Sequence, residues 1–194
     1  MTTRFQRIST LPLLIGTLFF FNGCTKTGES KEVVPQPAGK ALDNVSEVRS
    51  VQFPDTLVPQ FSWIDEKGKS ISFSEFSKGN VVLINFWAAW CGPCKRELPD
   101  LVELNNEYAS RNAKVLGISV DRGEDVLQMV HKFAQANNLH YPIIIDNGEL
   151  EKAFGGIRGI PTTFFIDKNG KIAQRMIGLQ SKAVFASALD ALLK

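Results

Sequence analysis

Residues 81–88, VVLINFWA, are apolar at every position except Asn85, and they run straight into the WCGPC of 90–94. A short apolar run without alternation describes a strand covered on both faces. After the cysteines the period changes, because Leu98, Leu101, Val102, Asn105 and Tyr108 recur at helical spacing. A two-sided strand that feeds a helix within a few residues needs a covering layer on each face. That requirement confines the chain to an α/β architecture.

The flanking pattern agrees. Residues 60–64 and 70–73 flank DEKGK at 65–69, which reads as strand, turn and strand. Residues 115–120 and 143–145 are further buried strands. Between them Val126, Leu127, Val130, Phe133 and Ala134 mark one face of a helix, with Asp121, Glu124 and Asp125 near its positive end. A short helix is expected over 149–154. Residues 162–167 and 171–177 form a hairpin around Lys168, Asn169 and Gly170. A last helix starts at Ser181 and carries Val184, Phe185, Ala188, Leu189 and Leu192 as one stripe. Pro99 lies inside the helix after the cysteines and is expected to kink it. The expected fold is α/β, with a mixed central sheet and helices on both faces, over residues 51–194.

Before the domain, Arg4 and Arg7 precede an apolar run, 11–21, that suits a signal-peptide core and is short for a membrane-spanning helix. The run ends in Phe21, Asn22, Gly23 and Cys24. This resembles a bacterial lipoprotein signal, in which cleavage precedes a cysteine that receives lipid. Gly23 fits the pattern, whereas Phe21 and Asn22 depart from it. The alternative is an ordinary export signal with Cys24 idle; both place the domain outside the cytoplasm. Residues 1–23 are thus expected to be the leader. Residues 24–50, rich in Lys, Glu, Ser, Gly and Pro and without an aromatic, are expected to be a flexible tether anchored at Cys24. The formal net charge of +2 comes from Arg4 and Arg7, leaving 20 basic against 20 acidic residues from Cys24 onward. A neutral chain offers no electrostatic footprint for nucleic acid.

The pair Cys91 and Cys94 admits three readings. A metal site needs about four ligands. The other candidates are Cys24 beyond the tether, His131 on the polar side of its helix, where it reads as solvated, and His140 in a loop-like stretch, so the metal reading is weak. A structural disulfide closes a long loop, and this one would close almost none. Redox chemistry explains the spacing. Cys91 falls at a helix N-terminus, where free N–H groups stabilise a thiolate, and Cys94 one turn on can resolve a mixed disulfide. Pro93 fits the first helical turn and Gly92 leaves the approach open.

Trp90-Cys91-Gly92-Pro93-Cys94 resembles the thioredoxin active-site motif, and Gly159-Ile160-Pro161-Thr162 resembles that family's second signature. The similarity covers roughly residues 59–194. It implies a thioredoxin-like fold, a cis bond before Pro161 beside the cysteines, and an Ile160 backbone available to substrate. A helix and strand over about 122–146, the leader, the tether, the N-terminal hairpin and Lys95-Arg96-Glu97-Leu98-Pro99 are similar to membrane-anchored TlpA/ResA-like thiol–disulfide oxidoreductases. Asn85 stands where minimal thioredoxins carry a buried Asp, and Glu97 matches a Glu of the ResA-like proteins, which implies a proton-transfer role toward Cys94. The resemblance further implies disulfide-containing protein substrates, apocytochrome c among them, a membrane thiol electron donor, and no cofactor. Two other functions are compatible with such a fold: a thiol peroxidase, and a peptide-binding module using the groove around Pro161.

Overall fold

The computed structural model describes residues 41–52 and 58–194. Strands β1 (Ala41–Leu42), β2 (Val45–Gln52), β3 (Gln60–Ile64) and β4 (Ser70–Ser72) lead into the short helix α1 (Phe73–Ser77). The apolar run becomes β5 (Val81–Trp87), followed by α2 (Gly92–Tyr108), β6 (Ala113–Ser119), α3 (Val126–Ala136) and β7 (Ile143–Ile145). Helix α4 (Glu149–Ala153), the hairpin β8 (Thr162–Ile166) and β9 (Ile172–Ile177), and α5 (Lys182–Leu193) complete the chain. The sheet order is β4-β3-β2-β7-β6-β5-β8-β9, with β1 paired to β2. The strands β2, β7, β6 and β5 are mutually parallel, and the pairs toward both edges are antiparallel. The mixed α/β sheet expected from the sequence is the one observed.

Alternation along β5 divides the core. Val81, Leu83 and Trp87 join Leu98, Leu101 and Leu104 of α2, Val130 of α3 and Phe185 of α5 on one face. Val82, Ile84 and Phe86 join Leu150 of α4 and the aromatics Phe61, Trp63 and Phe73 on the other. Every residue of β5 is buried. Each fully buried Leu contributes about 1.5–3 kcal/mol, so the three leucines of α2 alone hold that helix firmly against the sheet.

Three expectations change. The sequence places the tether over 24–50, yet Val45–Gln52 is a strand: Val45, Ser46 and Glu47 pair in parallel with Ile143, Ile144 and Ile145. Val45 is fully buried, and the Ser46 hydroxyl donates to the Ile64 carbonyl at 2.6 Å. The stretch looks polar because few apolar side chains anchor it, Val45 to one core face and Val48 to the other, while the backbone completes the ladder. The structured domain therefore begins before residue 51. Residues 70–73 were expected to be strand throughout, but Phe73 opens α1, with the Ser72 hydroxyl accepting from the Glu75 N–H at 3.1 Å as its cap. His131, expected to be solvated, is half-buried and hydrogen-bonds Asp43 at 2.6 Å. Helix α2 continues through Pro99 to Tyr108. The leader, Cys24 and the tether up to residue 40 lie outside the described residues.

Because β2 carries part of the central ladder, a chain beginning at residue 51 is expected to lose cooperative unfolding and near-UV circular dichroism. A chain beginning at residue 41 is expected to retain both. The comparison is a thermal melt of the two truncations.

Candidate active site

Cys91 is the N-cap of α2, and Pro93 sits in the first turn, where its missing N–H breaks no bond. The Cys91 sulfur accepts from the Cys94 N–H at 3.2 Å, and the two sulfurs are joined as a disulfide. Cys91 is 4% exposed and Cys94 fully buried. Gly92 and Pro93 are exposed, and Trp90 is 70% exposed. The pair thus has an accessible rim and a covered inner thiol.

The second motif reaches the same place from the far end of the chain. The Ile160–Pro161 bond is cis, Pro161 is buried, and the Ile160 carbonyl oxygen lies 3.8 Å from the Cys91 sulfur. The Pro161 carbonyl accepts from the Gly178 N–H at 2.8 Å. This ties the turn to the end of β9, where Ile177 and Leu179 are exposed apolar side chains.

Glu97 lies one helical turn beyond Cys94, on the side of α2 that faces the sheet, and it is fully buried. Its Oε1 accepts from the Asn85 amide at 2.7 Å, and its Oε2 accepts from the Gln180 N–H at 3.2 Å. The Asn85 amide also donates to the Thr163 hydroxyl at 2.9 Å. Burial of the carboxylate raises the Glu97 pKa from 4.5 to about 7. The bonds from Gln180 and Asn85 pull it down, and the Asp100 carboxylate adds to the rise. The polar position in an otherwise apolar strand is thus an amide that holds a buried acid.

Further residues shape the site without having been singled out by sequence. Asp121, read only as a charge near a helix start, is buried; its carboxylate accepts from the Ala89 N–H at 2.9 Å and the Ser119 hydroxyl at 2.8 Å. It fixes the backbone leading into Trp90. Asp100 accepts from the Lys182 N–H at 2.8 Å, so two acids on successive turns of α2 hold the segment that opens α5. The available signals were small ones: an acid directly after a buried strand, and a polar residue inside one.

The site as built combines a thiol pair at a helix N-terminus, a half-exposed rim and a carboxyl poised to gain or lose a proton near neutrality. Residues 54–175 match the family model described as the AhpC/TSA family. The chain is 37% identical over 125 residues to thiol-disulfide oxidoreductase ResA of Bacillus thuringiensis subsp. konkukian, covering 64% of this chain and 69% of the relative. It is 35% identical over 137 residues to ResA of Geobacillus thermodenitrificans, covering 71% and 76%. Among solved structures it is similar to a thioredoxin-family thiol:disulfide interchange protein from Chlorobium tepidum TLS. The TM-score there is 0.64 and the identity 35%, with 74% of this chain and 99% of that one covered. It is also similar to StoA from Bacillus subtilis, with a TM-score of 0.55, 30% identity, and 71% and 95% covered.

The raised Glu97 pKa makes a stability prediction. Between pH 4.5 and about 7 the unfolded chain releases this proton while the folded chain keeps it, so the stabilisation present below pH 4.5 is lost as pH rises through 7. Glu97→Gln has no proton to lose. Its stability relative to the parent is expected to rise across that window by up to about 3 kcal/mol and to stay flat above it. Urea unfolding of both proteins at pH 5 and pH 8 reads the difference.

Proposed function

The chain belongs to the AhpC/TSA family and is a thiol–disulfide oxidoreductase; on that premise we propose that it reduces protein disulfides outside the cytoplasm through a Cys91/Cys94 dithiol couple. The observation that carries this reading is the buried carboxyl of Glu97 one turn behind a covered Cys94, with Cys91 at the helix start. The Cys91 thiolate, favoured by the free N–H groups of the first turn, attacks one sulfur of the substrate disulfide and releases the other as a thiolate. Glu97, in its ionised form, takes the proton of Cys94. The Cys94 thiolate then attacks the Cys91 sulfur, displacing the second substrate thiolate and leaving the Cys91–Cys94 disulfide. The substrate gains two electrons and the protein loses them. A thiol donor in the membrane restores the dithiol by the reverse steps, with protonated Glu97 returning the proton to Cys94.

Trp90, Ile160, Ile177 and Leu179 give the rim of the pair an apolar character suited to extended, unfolded polypeptide. The Ile160 backbone, beside Cys91, is the proposed pairing edge for such a segment. Gly92 and Pro93 between the cysteines resemble the reducing thioredoxins, which supports the direction of electron flow. Apocytochrome c, whose cysteines must be reduced before haem attachment, is the substrate class we propose from the ResA-type relatives. Cys24 is proposed to carry a lipid that keeps the domain at the membrane surface.

Cys94→Ser is expected to accumulate mixed disulfides on Cys91, and Cys91→Ser to accumulate none; trapping by Cys91→Ser alone would reverse the two roles. In pre-steady-state exchange, resolution of the mixed disulfide is expected to accelerate as pH rises through about 7 in the parent. Glu97→Gln is expected to slow it by about 10²-fold and to abolish that rise. Cys24→Ala is expected to block lipid processing. Recovery of the mature parent protein wholly in a soluble fraction would refute the anchor.

A further inference from the structure

Helix α2 carries its charges against its own dipole. The free N–H groups make its start positive, so acids there stabilise a helix and cations weaken it. No acid stands in the first turn, and Lys95 and Arg96 follow directly after Cys94. Glu97 and Asp100, the next acids, are turned inward and accept from the Gln180 and Lys182 N–H groups. Lys95 and Arg96 are exposed. The Lys95 N–H donates to the Cys91 carbonyl at 3.1 Å, so Lys95 stands one turn after Cys91 on the same side of the helix, and Arg96 one turn after the exposed Gly92. A third cation arrives from the far end of the chain. Arg158 is exposed, two residues before Ile160, whose carbonyl oxygen lies 3.8 Å from the Cys91 sulfur. Arg175 of β9 reaches the same turn and donates to the Gly156 carbonyl at 3.2 Å. Lys95, Arg96 and Arg158 enter no ion pair among the described residues. The exposed acids Glu124 and Asp125 follow β6, across β5 from the turn that precedes β8. Neither helix stability nor pairing accounts for this positive charge around Cys91.

We propose that Lys95, Arg96 and Arg158 are specificity-determining residues: they form a cationic collar around Cys91 that selects disulfide substrates whose cysteine is flanked by Asp or Glu. The inference deepens the reading of Cys91 as the attacking thiol and rests on it. A segment extended beside Ile160 advances about 3.3 Å per residue, so the residues on either side of its cysteine come within reach of long Lys and Arg side chains. Unpaired surface charge also acts at a distance, over about 8–10 Å at physiological salt. It speeds encounter with a segment of opposite charge and slows encounter with one of like charge. The same cations favour the Cys91 thiolate whatever the substrate. Selection is therefore read as a ratio between substrates rather than as a rate.

The test measures exchange of the reduced full chain with two synthetic peptides that share one intramolecular disulfide, flanked by Glu in one and by Lys in the other. The ratio of their second-order rate constants cancels any change in the nucleophilicity of Cys91. In the parent the acidic peptide is expected to react about 10-fold faster at about 20 mM salt, and about twofold faster at about 0.5 M. Combining Lys95→Gln, Arg96→Gln and Arg158→Gln is expected to bring the low-salt ratio to about one. Combining Lys95→Glu, Arg96→Glu and Arg158→Glu is expected to make the basic peptide the faster. A parent ratio at or below one at low salt overturns the collar, as does a ratio that the three Gln substitutions leave unchanged. Trapping of either peptide on Cys91 by Cys94→Ser would then leave the redox reading standing. Absence of exchange with both peptides, and of trapping in Cys94→Ser, overturns both.

Discussion

Burying β5 on both faces is the constraint from which the rest of the structure follows. Its seven residues are all covered, so it needs a neighbour on each edge and a layer on each side. Strand β6 supplies one edge in parallel and β8 the other in antiparallel register. Helices α2, α3 and α5 cover one face; α1, α4 and the aromatics of β3 cover the other. The same strand ends where α2 begins. The free N–H groups of that helix are therefore aimed at Cys91 by a rigid element rather than by a mobile loop.

A buried strand tolerates a polar side chain only if its hydrogen bonds are met. The Asn85 amide nitrogen donates to Thr163 and to Glu97, and that second bond carries an acid into the core. Among the described residues the acid finds two donors and no opposing charge, so its ionised form is disfavoured and its proton affinity rises to the range where thiols exchange. The bond from Gln180 links this acid to the segment joining β9 to α5, and Asp100 makes the parallel link one turn later. Helix α2 thus presents thiols at its start and fastens the C-terminal helix along its flank.

The N-terminal strands show how an apparently featureless stretch enters a sheet. Between Val45 and Gln52 the strand pairs with β7 through Val45–Glu47 and with β3 from Val48 onward, with an irregularity between Val48 and Ser50. Polar side chains on its outer positions are compatible with both pairings because the ladder bonds belong to the backbone. The inserted α3 and β7 create the edge on which this strand lies, so the extra helix and strand between the two motifs and the N-terminal hairpin form one structural addition.

Local pattern alone determined β5, α2, the buried strands that follow, and the placement of Cys91 and Cys94 as N-cap and first-turn residue. Periodicity and helix-start chemistry act over a few residues, so a sequence displays them directly. The meeting of the second motif with the cysteines was legible through the resemblance of Gly159 to Thr162, but not from any periodicity. Only tertiary structure decided the rest. Glu97 sits in a run with Lys95 and Arg96 that reads as surface. Its burial depends on Asn85, twelve residues before it, and Gln180, eighty-three after it. A carboxyl's proton affinity is a property of the groups packed around it. Those groups were distributed along the chain with no local spacing to announce them, so the fold had to assemble them before the chemistry of Glu97 existed.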